Sequence, residues 1–226
     1  MKQTAILIPA RFGSSRFEGK PLVDLGGMTM IERVYKACVG TGLDTYVLTD
    51  DMRIFNLFGE RMCWVDQRVE YANGTERCAG AISDKNFTRY LGDYDQYINV
   101  QGDMPDVTVE MIKRIETNIK MSGVVTAWTE MDPALQSDPN SVKVVHNNVF
   151  AHWFGRGLTC GSRHLGIYGY TRKALAAYRT TPSNYESHEG LEQLRWYNLN
   201  YKVGVTRVDF DGIEINTPDD ARKWNS

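Results

Sequence analysis

The alternation of strand-like and helix-like patterns in the first half of the chain limits its possible folds more than any other feature. Short apolar runs predict strands at 5–8, 46–48, 63–65, 97–100 and 124–128. Segments with helical spacing lie between them, at 30–41, 51–58, 75–82 and 108–120. Thr29 and Glu32 form a capping-box pair before the first helix, and Thr75 is the expected N-cap of the third. Strands that alternate with helices in this way predict an α/β fold with a doubly wound, mostly parallel sheet.

The second half of the chain has a more mixed pattern. The segments 142–145 and 149–154 predict an antiparallel hairpin, and strands are expected at 165–170 and 203–208. Helices are expected at 173–179, at 187–197 and after Thr217, which is followed by Pro218 and two acidic residues. We therefore expect one domain over residues 1–226, with an antiparallel region at about 140–200.

Composition excludes several function classes. The 226 residues carry a formal net charge of −2, which argues against nucleic acid as the main partner. No apolar run approaches the ~20 residues of a membrane span, and no signal peptide is visible before the first strand. The four cysteines are scattered and the four histidines lack zinc-ligand spacing. Buried free thiols in a cytoplasmic protein are expected.

A basic loop follows the first predicted strand. Residues 9–22 read PARFGSSRFEGKPL and contain the cations Arg11, Arg16 and Lys20, with glycines at 13 and 19 that allow close backbone approach. The segment is not a P-loop, because Pro21 follows the lysine. On spacing alone it fits a solvated surface loop as well as a phosphate cradle; its place between a strand and a helix favours the cradle.

Other polar segments follow predicted strands or open predicted helices. Asp103 comes just after a buried strand, where it is either a turn residue or, beside a polyphosphate loop, a ligand of Mg²⁺. Gly74 and Arg77 lie at a helix start, which suits either a capped turn or a nucleotide contact.

Two segments in the second half contain polar side chains that fit either a binding or a structural role. On the strand at 165–170, His164 and Tyr168 share one face; with Arg163 beside them they could bind an anionic sugar or form an edge of the core. Glu192 and Gln193 fall on the helix predicted at 187–197, where a solvated face is the default expectation.

Eight collinear segments together resemble the 3-deoxy-manno-octulosonate (KDO) cytidylyltransferases of lipopolysaccharide biosynthesis. The segments are IPAR (8–11), GKPL (19–22), GTER (74–77), NVQGD (99–103), PNSVKVV (139–145), RHLGIYGY (163–170), LEQLR (191–195) and TPDD (217–220). The resemblance covers nearly the whole chain. It implies a nucleotide-diphospho-sugar transferase-like fold and transfer of CMP from CTP to the anomeric hydroxyl of an eight-carbon ulosonic acid, with release of pyrophosphate. It also implies a homodimer whose contacts lie in the 140–200 region.

The resemblance assigns roles residue by residue. The catalytic group would be Lys20, Asp103 and Arg11. The nucleotide would be bound by Arg11, Arg16, Lys20, Gly74 and Arg77, and Mg²⁺ by Asp103. The sugar acid would be held by Gln101, Arg156, Arg163, His164, Tyr168, Glu192 and Gln193.

This chain departs from the family pattern at four places. Glu18 replaces a proline, Met104 replaces a glutamate, and only seven residues separate Arg156 from His164 where the family has a longer loop. Asn216 replaces an aspartate that is the family's second metal ligand; Glu214 could supply the missing charge if the segment is extended. Two alternatives stay open: transfer to another ulosonic acid, amino-KDO or sialic-like, and a non-catalytic sugar- or nucleotide-binding protein.

Overall fold

A nine-stranded sheet runs through the protein with helices packed on both faces. The computed structural model describes residues 2–13, 17–91, 94–178 and 184–226. The strands are β1 Lys2–Ala10, β2 Asp44–Thr49, β3 Cys63–Val65, β4 Tyr94–Val100, β5 Val124–Thr129, β6 Lys143–His146, β7 Ala151–Gly155, β8 Ser162–Thr171 and β9 Gly204–Arg207. The helices are α1 Met30–Val39, α2 Met52–Phe58, α3 Gly74–Ala81, α4 Lys85–Leu91, α5 Val109–Ser122, α6 Arg172–Tyr178, α7 Asn184–Glu189, α8 Arg195–Asn198 and α9 Pro218–Trp224.

The strand order is β3-β2-β1-β4-β8-β5-β9. Strand β1 is parallel to β2 and β4, β2 is parallel to β3, and β5 is parallel to β9. The β6/β7 hairpin joins the sheet through β8 and forms the antiparallel insertion expected from the sequence. Strand β8 lies antiparallel between β4 and β5, a placement that the sequence patterns did not predict.

Strand β1 explains why the sheet is buried on both faces. Ile6 and Ile8 enter the core that contains α1 and α5. Ala5 and Leu7 point the other way, into the core that contains α3, α4 and α6. A continuous apolar run is what a strand covered on both faces requires, and it confirms the doubly wound arrangement.

Helix caps agree with the sequence at most positions. The Thr29–Glu32 capping box and the Thr217 cap of α9 are both present. The expected Thr75 cap is wrong: Asn73 caps α3, because its side chain accepts from the Glu76 amide at 2.8 Å. Thr75 is the second residue of the helix, and its hydroxyl is hydrogen-bonded to Tyr170 Oη at 2.8 Å.

The helix expected at 187–197 is broken into three pieces. Helix α7 ends at Glu189, Gly190 adopts φ +64°, and a 3-10 turn at Glu192–Leu194 leads into α8. Glycine reaches this left-handed conformation without strain, so it reverses the chain where a side chain would resist. The break moves Glu192 and Gln193 from the predicted solvated helix face to the edge of a cavity.

Within the described ranges, none of the helices combines the length and apolar character that crossing a membrane needs. All four cysteines are free thiols. Cys38, Cys63 and Cys78 are buried as expected, but the expectation is wrong for Cys160, which is exposed.

Candidate active site

A cavity of about 1280 Å³ opens where β1 and β4 end. Every predicted site residue in the described ranges lines it, and Arg16 lies outside those ranges. The lining residues predicted from the sequence are Arg11, Lys20, Gly74, Arg77, Gln101, Asp103, Arg156, Arg163, His164, Tyr168, Glu192, Gln193, Glu214 and Asn216. Ligands of open α/β sheets bind beyond the carboxyl ends of the strands, and this cavity has that position.

The basic loop brings a cation to a carboxylate. Lys20 Nζ lies 2.7 Å from Asp103 Oδ2, although 83 residues separate them in sequence. Gly19, at φ +70°, donates its backbone N–H to Phe12 O and closes the loop just before Lys20. In the free protein Lys20 therefore neutralises Asp103. The ion pair must open before a ligand can bind either side chain.

Helix α3 begins at the wall of the same cavity. A Cβ added to Gly74 would lie 3.0 Å from Pro9 Cγ, so a glycine allows this helix start to pack against the end of β1. Arg77, on the first turn, is buried, and its Nη2 donates to Asp50 Oδ2 at 3.0 Å. Its Nη1 is buried without a hydrogen-bond partner among the described residues. A buried donor without a partner is costly, so this arginine is suited to an acceptor group on a ligand.

Glu192 links the two walls of the cavity. One carboxylate oxygen accepts from the Thr75 backbone N–H at 2.9 Å and the other from Gln101 Nε2 at 2.5 Å. Burial raises the pKa of Glu192, and the hydrogen bonds from Thr75 oppose that rise. On the same turn, Gln193 accepts from Tyr168 Oη at 3.3 Å.

His164 is a neutral group in this wall. Its ring lies 5.6 Å from that of Tyr168, and its Nε2 is 2.9 Å from Thr126 Oγ1. Burial, followed by the neighbouring charge of Arg156, lowers the pKa of His164 to about 3. The histidine therefore contributes shape and hydrogen bonding at neutral pH, while the arginines provide the positive charge at this end of the cavity.

The segment that carries Glu214 and Asn216 is hydrogen-bonded to the backbone of Asp103. The Ile215 backbone N–H donates to Asp103 O at 3.0 Å, and Ile215 itself is buried. Its neighbours Glu214 and Asn216 both line the cavity, as an extended segment predicts. Burial and the charge of Asp103 raise the pKa of Glu214 to about 6. The described residues contain no cluster of three His, Cys, Asp or Glu side chains at metal-binding distances.

This donor set fits one kind of cation. Mg²⁺ is usually held by one or two carboxylates, with substrate phosphate oxygens and waters completing its shell. Asp103 and Glu214, which both line the cavity, match that requirement, whereas a structural zinc or calcium cage would need more protein ligands.

Three side chains that shape the site received no role from the sequence. Asp50 orients Arg77 and also accepts from the Phe12 backbone N–H at 2.9 Å. Its position at the end of β2 was the available signal. The sequence contained no comparable signal for Thr126, and none for Lys143 beyond its place in the PNSVKVV segment, because the contacts of both residues depend on the antiparallel arrangement around β8.

An α/β sheet with such a cavity beyond its carboxyl ends is the arrangement of nucleotide-binding enzymes. The cytidylyltransferase family model matches residues 5–203, and the chain belongs to that family. The 8-amino-3,8-dideoxy-manno-octulosonate cytidylyltransferase of Shewanella halifaxensis is 40% identical over 96% of this chain and 95% of its own length. The 3-deoxy-manno-octulosonate cytidylyltransferase of Bacteroides thetaiotaomicron is 34% identical over 96% and 94%. The solved structure of a CMP:2-keto-3-deoxy-manno-octonic acid synthetase complexed with CTP superposes with a TM-score of 0.85 at 29% identity, covering 99% of this chain and 97% of that one.

Proposed function

We propose that this protein transfers CMP from CTP to the anomeric hydroxyl of KDO or its 8-amino analogue and releases pyrophosphate. The observation that carries the proposal is the composition of the cavity. Where β1 and β4 end, it presents Arg11 and the Lys20–Asp103 pair; the rest of the lining includes further arginines, a neutral histidine and hydrogen-bonding side chains. A triphosphate with a cation suits the first group, and a sugar acid suits the second.

The chemistry needs positioning and charge neutralisation more than covalent assistance. The anomeric oxygen attacks the α-phosphorus and forms a new P–O bond. The bond from that phosphorus to the bridging oxygen breaks, pyrophosphate leaves, and the hydroxyl proton is released. Lys20 and Arg11 would stabilise the charge that moves onto pyrophosphate. Mg²⁺ held by Asp103 and Glu214 would supply further charge neutralisation and lower the pKa of the attacking hydroxyl.

Arg77 would face the cytidine end of the nucleotide. Its buried Nη1 lacks a partner among the described residues, while Asp50 fixes the rest of the guanidinium. A nucleotide carbonyl or hydroxyl oxygen would satisfy that donor.

The departures from the family pattern leave the cavity intact, which favours an enzyme over a binding protein without catalysis. Met104 is fully buried in the core and does not line the cavity. Glu18 is exposed and likewise lies away from the lining. At Asn216, where a carboxylate is lost, Glu214 lies on the same wall and keeps the number of acids at two.

Between the two acceptors, the 8-amino sugar is favoured by the relative at 40% identity and KDO by the relative at 34%. A pyrophosphate-release assay with CTP and Mg²⁺ should give turnover with one of them, above a sialic acid and above a control without sugar. CTP binding without turnover on any ulosonic acid would establish the non-catalytic alternative.

We also propose a cytoplasmic homodimer. The free thiols support a reducing compartment. In the 140–200 region, Trp153 stacks on Tyr197 and contacts the half-exposed Tyr185, which provides an apolar surface for a second copy. Light scattering on the purified protein should give the mass of a dimer, and a monomer mass would contradict this proposal.

A further inference from the structure

Lys143 is a buried cation without a carboxylate partner. Only 1% of its surface is exposed, and it begins β6, the middle strand between β7 and β8. Its ammonium donates to two backbone carbonyls, Arg156 O at 2.7 Å and Asp138 O at 3.2 Å. Among the described residues, no Asp or Glu oxygen lies within salt-bridge distance of it.

A lysine in this position is an expensive way to fill space. An ammonium loses its hydration on burial, and an apolar side chain of similar size would pack there without that loss. Carbonyl oxygens return only part of the hydration energy. The position therefore calls for a reason other than packing.

The two carbonyls provide that reason, because both belong to residues that line the cavity. Asp138 precedes β6, and Arg156 begins the short turn between β7 and β8. Arg156 also reaches back across the gap, where its Nη1 donates to Asn140 O at 2.8 Å. The Lys143 ammonium and the Arg156 guanidinium thus both link the segment before β6 to the turn after β7.

The turn that carries Arg156 has little other freedom. A Cβ on Gly155 would lie 3.0 Å from Leu158 Cγ, and one on Gly161 would lie 2.8 Å from Val144 O. The turn is therefore folded closely onto β6. Arg156 is also near enough to His164 for its charge to contribute to the lowered pKa of that ring.

We infer that Lys143 is a positioning residue for the acceptor sugar: by holding the Arg156 carbonyl it fixes the Arg156 guanidinium toward the sugar-acid carboxylate. The inference rests on the proposed function. It assigns a role in acceptor binding to a lysine that lies outside the cavity.

The test is a double-mutant cycle measured by steady-state kinetics. Lys143→Met should raise KM for the sugar acid about tenfold while KM for CTP stays within twofold and kcat changes little. In an Arg156→Ala background the same substitution should add less than a twofold rise, because its effect passes through Arg156. Glu192→Ala serves as the control background, since that cavity side chain is bonded to Thr75 and Gln101 and not to the segments that Lys143 holds; there the tenfold rise should persist.

Further variants separate positioning from folding. Lys143→Arg keeps the charge and donors and should recover most of the sugar affinity. Lys143→Gln keeps one donor and reports if the methionine variant does not fold. Multiplicative effects of Lys143→Met and Arg156→Ala, or equal rises in both KM values, would overturn the inference. Loss of stability with unchanged KM would do the same. A wild-type protein that neither turns over nor binds any ulosonic acid would overturn the proposed function and this inference together, whereas normal wild-type kinetics with an unaffected Lys143→Met would overturn this inference alone.

Discussion

Removing the charge of Lys20 should have opposite effects on two properties of the protein. In the free protein its ammonium lies 2.7 Å from Asp103, and the two side chains are 17% and 21% exposed. Lys20→Met keeps the length of the side chain and removes the charge. We expect the variant to bind a divalent cation more tightly without nucleotide, and to turn CTP over much more slowly.

The size of the first effect follows from Coulomb's law. Two unit charges about 3 Å apart interact by about 1.4 kcal/mol in water and by about 5.5 kcal/mol at an effective dielectric of ~20. Partial exposure places this pair near the lower value, at about 1.4 to 2 kcal/mol. That corresponds to roughly 10- to 30-fold tighter cation binding to the free variant. In turnover, the loss of a charge that acts on the transition state should reduce kcat/KM for CTP by ~10²–10³.

Mn²⁺ titration followed by electron paramagnetic resonance measures the first effect, and pyrophosphate release measures the second. Lys223→Met is the matched control, because Lys223 is an exposed lysine that lines the same cavity. It should leave both quantities within about threefold. If Lys20→Met leaves Mn²⁺ affinity unchanged or weaker, the Lys20–Asp103 pair does not mask the cation site. If turnover is unaffected, the basic loop is only a solvated surface.

Three further outcomes are expected. Glu214→Gln should raise the Mg²⁺ concentration for half-maximal activity by about 30-fold or more, since a unit charge near a divalent ion is worth about 2 kcal/mol or more at an effective dielectric of ~20. Asn216→Asp should lower this Mg²⁺ concentration by a smaller factor. If neither substitution changes it, residues 213–216 do not reach the metal. Glu192→Ala should raise KM for the sugar about tenfold or more with little change in KM for CTP, and the reverse pattern would place that carboxylate at the nucleotide. In the folded protein His164 stays neutral down to about pH 3, whereas in the unfolded chain it is protonated near pH 6.5. Because of this histidine, the free energy of unfolding of the wild type should fall by about 2 kcal/mol between pH 6.5 and pH 5. Urea unfolding at both pH values should show no such fall in the free energy of unfolding of His164→Gln. An equal pH dependence in the variant and the wild type would argue against a buried neutral histidine.

Local chemistry made much of this molecule predictable. Apolar runs predict buried strands such as 5–8. The Thr29–Glu32 and Thr217 caps are predictable because they depend only on residues within one turn. The cavity was predictable for a related reason. In a parallel sheet, the segments after β1 and β4 must meet at one edge, so Lys20 and Asp103 could be placed together from sequence.

The remaining features depend on contacts between distant segments. Strand β8 lies antiparallel between β4 and β5, and no pattern within residues 162–171 specifies those neighbours. Gly190 breaks the helix expected at 187–197, and after that break Glu192 lines the cavity. Lys143 received no role from the sequence; its burial involves the turn after β7, where the Arg156 carbonyl accepts from its ammonium.

The most direct test of the central claim is a ³¹P NMR time course of CTP, Mg²⁺ and the preferred ulosonic acid with the protein. We predict that the triphosphate resonances are replaced, one for one, by those of a CMP–sugar phosphodiester and of pyrophosphate, and that CTP is unchanged when the sugar is omitted. Hydrolysis of CTP to CDP or CMP without a sugar ester, or a spectrum that does not change with any acceptor, would contradict the account.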